Sequence, residues 1–141
     1  MTNDLEIPAY GVGTQSPRQV YNRGQWIETP INMGYGQLTN SSAILYTAPS
    51  GTIAGAASQK ALLLEIWLCN TDTTARTVTV YVVENGGSVA DNRAILKDVT
   101  IAAKTTYRQE CWCVLESNET VRGLADTTLK VTYRLSGKTL T

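Results

Sequence analysis

The segment Arg76 to Val83, RTVTVYVV, puts Val78, Val80 and Val82 on one side and Thr77, Thr79 and Tyr81 on the other. β-Branched residues at period two suit a pleated strand and not a helix. The pattern recurs. KALLLEIWLCN, 60–70, places Leu62, Leu64, Ile66 and Leu68 in one row, and the polar stretch Asn70 to Thr74 links it to the first segment. The two therefore read as a β-hairpin with a polar tip. AILYTAP, LKDVTIAA, TTYRQECWCVLE, ETVRGLAD and TLKVTYRLSG read as further strands, with Lys104 in the turn between LKDVTIAA and TTYRQECWCVLE. No stretch holds a helical period. About eight short strands spaced near 10 residues predict an all-β fold, a single antiparallel β-sandwich of jelly-roll or immunoglobulin-like order. The 141 residues suffice for one core and hardly two.

Residues 1–40 differ. Prolines stand at 8, 17 and 30 and glycines at 11, 13, 24, 34 and 36. Tyr10, Tyr21, Trp26 and Tyr35 follow no period. Such a segment builds no core, yet it is too apolar for an inert linker. It predicts an extended N-terminal arm over 1–40, with a short strand around WIETPIN, and a sandwich domain over 41–141.

Chemistry is sparse. There is no histidine, which removes the commonest general base and the usual triads. Glu110 and Glu116 would lie roughly 20 Å apart on one strand, too far for glycoside hydrolysis. GVGTQS, 11–16, lacks the third glycine and the flanking elements of a phosphate loop. Twelve basic residues balance twelve acidic ones, so the basic excess of a nucleic-acid binder is missing. No run approaches the roughly 20 apolar residues of a membrane helix. MTNDLEIPAYG lacks the basic-then-apolar order of a secretion signal, which predicts a protein made and kept in a cytosol or carried in an assembly. Cys69, Cys111 and Cys113 are odd in number and read as free buried thiols. Cys111 and Cys113 share a strand face, but zinc wants four ligands and one cysteine remains. Neither catalytic residues, metal nor cofactor is expected.

The apolar rows carry the functional signal. Trp67, with Leu63 and Cys69 around Glu65, falls opposite the expected core row of its strand. Trp112 and Val114 fall opposite Cys111, Cys113 and Leu115. Apolar side chains on the outside of a sandwich call for a cover. The candidate protein-interface residues are thus Tyr10, Tyr21, Trp26, Tyr35, Trp67 and Trp112, since tryptophan and tyrosine anchor interfaces. Sugar stacking is the other use of such rings.

YTAPSGT at 46–52, CNTDTTARTVTVYVV at 69–83, IAAKTTY at 101–107 and VLESNETVRGLAD at 114–126 together resemble small structural proteins encoded among the virion genes of tailed bacteriophages. The likeness spans about 100 residues and none of the arm. It departs at VLESNET, where the group usually carries a Gly-Asp turn; Ser117 and Asn118 are still turn residues. The resemblance implies a virion component without enzyme activity. A capsid decoration (cement) protein fits first, located on the capsid surface after synthesis in the host cytoplasm. Its partners would be the major capsid protein and its own copies, as dimer or trimer, with no nucleic acid and no membrane. A tail, neck, baseplate or fibre component is the alternative, and a carbohydrate-binding β-sandwich module is the alternative of another class.

Overall fold

RTVTVYVV is the fourth of the eight strands among the described residues: β1 (Glu28–Gln37), β2 (Ala43–Thr47), β3 (Lys60–Asn70), β4 (Arg76–Val83), β5 (Ala94–Ile101), β6 (Thr106–Leu115), β7 (Thr120–Ala125) and β8 (Val131–Leu140). The structure, a computed structural model, describes residues 27–51 and 58–141. Among these, helical geometry is limited to one 3₁₀ turn, Asp91–Arg93, and no helix is long and apolar enough to cross a membrane.

One four-stranded sheet runs β1-β8-β3-β6 and the other β2-β7-β4-β5, with every pairing antiparallel. The first strand pairs with the last, the second with the seventh, the third with the sixth and the fourth with the fifth. That is one long hairpin rolled up on itself, the eight-strand jelly roll. Immunoglobulin order keeps the first two strands in one sheet; here β1 and β2 are in different sheets.

The expected hairpin of β3 and β4 does not form. β3 pairs with β6 and β8, and β4 with β5 and β7. The chain leaves one sheet at Asn70 and enters the other at Arg76. Folding the two apolar rows onto each other, instead of side by side, buries both against one core. Asn70 holds the corner. It is fully buried and its Nδ2 donates to Thr74 O (2.9 Å), Ile101 O (3.0 Å) and Ala102 O (3.2 Å). Its Oδ1 accepts from Asp72 N at 2.9 Å. Arg76 Nε donates to Asp72 Oδ2 at 2.8 Å and Lys104 Nζ to Thr71 O at 3.0 Å, closing the outside of the corner.

The inward row of β3 also differs from its expected pattern. A register shift between Leu63 and Glu65 inserts Leu64 as a bulge against β8, which flips the face parity. Ala61 and Leu63 point inward before it, Ile66 and Leu68 after it, and all four have no solvent exposure. Leu62 and Leu64 therefore leave the core row. Val78, Val80, Leu115, Val121, Val131 and Leu135 meet them from the other strands.

β1 lies within residues 1–40, the span read from sequence as an arm with a short strand. Glu28–Gln37 is a ten-residue strand paired along its length with β8, and Met33 and Leu38 belong to the core. Pro30 and two glycines obscured it. Pro30 is tolerated because β1 is an edge. Only residues 1–26 precede the described sandwich.

Candidate functional site

The solvent side of the β1-β8-β3-β6 sheet carries the exposed aromatics. Tyr35 sits in the sequence Gly34-Tyr35-Gly36. A Cβ on Gly36 would lie 3.3 Å from the Tyr133 ring, and one on Gly34 would lie 2.8 Å from Leu45 O. Gly36 thus admits the Tyr133 ring and Gly34 the Leu45 carbonyl beneath β1, while alternation sends Tyr35 outward, 71% exposed. On β6 the alternation is unbroken over ten residues. Cys111 and Cys113 pack against the core and Trp112 stands 74% exposed. On β3 the Leu64 bulge is what turns Trp67 to solvent, 40% exposed.

Register then assembles a row across all four strands. Tyr35 is opposite Arg134, Arg134 is opposite Trp67, and Trp67 is opposite Arg108. Aromatic and guanidinium groups alternate from one edge of the sheet to the other. The Arg108 guanidinium lies 5.5 Å from the Trp67 ring centroid, a cation–π distance. Trp67 Nε1 donates to Glu65 Oε1 at 2.7 Å, and Arg108 bridges Glu65 and Glu110. The Trp67 N–H and then Arg108 hold the Glu65 carboxyl below the usual carboxylate range against opposing desolvation. Glu110 and then Glu65 raise Arg108 above the usual guanidinium value. The indole is therefore fixed on both its edge and its face. Beside it, Pro30, Leu64, Glu65, Glu110, Trp112 and Ser136 line a shallow depression.

Of the six residues singled out from sequence, Tyr35, Trp67 and Trp112 share this face. Tyr10, Tyr21 and Trp26 lie outside the described residues. Arg108 and Arg134 were missed, because only strand pairing sets them beside the aromatics. The three cysteines are free. Burial, with smaller effects from Cys113 and Glu65, pushes the Cys111 thiol up to about 11, and burial also raises Cys113. Both thiols are thus kept from the thiolate form that nucleophilic or ligand chemistry uses. Among the described residues no group of three or more potential metal ligands converges. The face thus joins exposed aromatic rings to paired charged groups.

No protein-family model matches the chain, and no curated protein sequence matches it. Nine chains of solved structures do. One comes from the T13 viral particle of infectious bursal disease virus, with a TM-score of 0.51 and 13% identity over 95% of this chain and 35% of that one. The likeness is one of fold. A chain of the Gx strain of the same virus gives 0.48 and 14% over 95% and 36%. A chain of its VP2 subviral particle gives 0.46 and 14% over 95% and 37%. This chain spans about a third of the length of these neighbours.

Proposed function

We propose that this chain is a non-enzymatic virion structural protein of the decoration type. The observation that carries the reading is the registered row Tyr35–Arg134–Trp67–Arg108 with Trp112 beside it, an outward face built to be covered. Large rings supply contact area at little entropic cost, and arginine adds directed hydrogen bonds, the composition of interface anchors. A jelly roll similar in fold to a viral-particle chain supports the virion setting. That the virion is a tailed bacteriophage rests on the motifs at 46–52, 69–83, 101–107 and 114–126. In this reading the face sits on the major capsid protein at the capsid surface, copies assemble around a symmetry axis, and Tyr10, Tyr21 and Trp26 of the N-terminal segment add anchors. Binding is its whole activity.

The test is cosedimentation with particles that lack the protein. Trp67→Ala together with Trp112→Ala weakens binding by at least about tenfold if each ring contributes as a typical anchor. Unchanged binding overturns the assignment of the face. Copy number in purified virions separates decoration, at hundreds of copies, from a tail, neck, baseplate or fibre part. The depression beside Trp112, with Glu65 and Glu110 as acceptors, favours a glycan as the second reading. Quenching of tryptophan fluorescence by oligosaccharides, with no particle binding, would establish it instead.

A further inference from the structure

Among the described residues four strand edges of the sandwich have no further neighbour: β1, β6, β2 and β5. Natural sheets blunt such edges because unpaired peptide groups recruit another strand. Three are blunted here. β1 carries Pro30, a register break after Asn32, and an Asn32 side chain that already accepts from Gly34 N at 3.2 Å. β2 has five residues and a register break between Ile44 and Tyr46. β5 has two register breaks against β4 and turns Asp98 into the left-handed region, φ 49°. β6 differs. It runs ten residues, TYRQECWCVL, without proline, glycine or lysine and without a positive φ; its one register break against β3 falls between Glu110 and Cys113, so Thr106 to Glu110 stay in regular pairing.

Its free peptide groups can be located. Asn70 N donates to Thr105 O at 2.9 Å. Residues of the same parity, Tyr107 and Gln109, therefore turn their peptide groups toward β3. Arg108 and Glu110 turn theirs to the open edge and their side chains to the aromatic face. The Gln109 carboxamide donates to Glu110 O at 2.7 Å, standing where a further strand's N–H would stand.

We infer that β6 pairs antiparallel with β6 of a second copy of this chain, about a twofold axis at Gln109, joining two four-stranded sheets into one of eight. The register follows from charge. An axis at Arg108 or Glu110 sets each against itself. An axis at Cys111 sets Arg108 against Val114. An axis at Trp112 sets it against Glu116, which lies beyond the strand. An axis at Gln109 sets Arg108 opposite the second copy's Glu110, twice, because an isologous contact repeats every pair. Trp112 then lies opposite Thr106 and diagonal to the second copy's Arg108. The aromatic and guanidinium row continues across the axis, so two copies present one double-width face.

The test uses the full chain. Sedimentation velocity at about 100 μM, a concentration that populates any contact with a Kd below the millimolar range, should show a dimer. Arg108→Glu should raise the dimer Kd at least about tenfold, by replacing two opposed ion pairs with two like-charge pairs. Adding Glu110→Arg should restore it, with urea unfolding of each variant reporting separately any change in the Arg108–Glu110 pair within the chain. In a background with Cys69, Cys111 and Cys113 changed to serine, Gln109→Cys should form a disulfide-linked dimer under mild oxidation and Thr106→Cys should not. A monomer throughout overturns the inference. So does a dimer indifferent to Arg108→Glu, or one in which Gln109→Cys fails to cross-link.

Discussion

Replacing Asn70 by alanine tests the claim that this side chain holds the crossing between sheets. Four hydrogen bonds disappear: Nδ2 to Thr74 O, Ile101 O and Ala102 O, and Oδ1 from Asp72 N. Ala102 O keeps Thr105 Oγ1 at 2.7 Å and loses little. The bond to Ile101 O is buried, so that carbonyl bears a desolvation cost of about 1–3 kcal/mol. Thr74 O and Asp72 N are partly buried and lose about 0.5–1.5 kcal/mol each. The expected loss is about 2–6 kcal/mol against a typical domain stability of about 5–15 kcal/mol. Urea unfolding followed by tryptophan fluorescence measures it as a shift of midpoint at constant slope. Asn70→Asp sharpens the test. Its carboxylate would face three carbonyl oxygens, so its folded pKa is raised above the unfolded value of about 3.9. An acid with a raised folded pKa is favoured below its unfolded pKa and loses stability as pH rises through the folded one. The deficit of Asn70→Asp relative to wild type should therefore narrow on acidification, while that of Asn70→Ala does not follow the same course. A loss below about 1 kcal/mol for Asn70→Ala would mean that water replaces the side chain and would refute the corner-pin argument.

Gly137→Ala should destabilise by at least about 2 kcal/mol in the same assay, because the added Cβ meets Leu62 O and lies 2.6 Å from Met33 Sδ. Cys111, with its thiol pushed up to about 11, should react with iodoacetamide at pH 8 about 100-fold or more slowly than an ordinary cysteine of pKa about 8.5, as read by peptide mass spectrometry; urea should abolish the difference. The carboxyl of Asp72 is held below its usual range by Arg76 first and then by the Thr73 N–H, so its contribution is present above the unfolded pKa of about 3.9 and is lost as pH falls through the depressed value. Asp72→Asn should accordingly narrow the gap between neutral and acid urea midpoints.

The alternation of RTVTVYVV and TYRQECWCVL is local, since neighbouring side chains point to opposite faces whatever the strand pairs with. That suffices to read strand class, sandwich architecture and the outward placement of Trp112, whereas Trp67 faces out because of the Leu64 bulge. It does not suffice for β1, where Pro30, Gly34 and Gly36 have low strand propensity; the Tyr133 ring, the Leu45 carbonyl and the edge position make them fit. The site was half legible for the same reason. Trp112 announces itself by parity, but Arg134 is remote in sequence and becomes a neighbour of both Tyr35 and Trp67 only through pairing.

Period and composition by themselves determined that this chain makes strands, turns Trp112 outward and lacks histidine chemistry. Which strand lies beside which was decided by tertiary structure alone. A polar turn such as Asn70–Thr74 is compatible with a flat hairpin or a sheet-to-sheet crossing, and the choice depends on where both apolar rows can be buried at once. The parity of β3 was settled in the same way: a single bulged residue, Leu64, flips every side chain after it. Because hydrogen bonding to β8 and packing against the facing sheet place that bulge, no local pattern within KALLLEIWLCN encodes it.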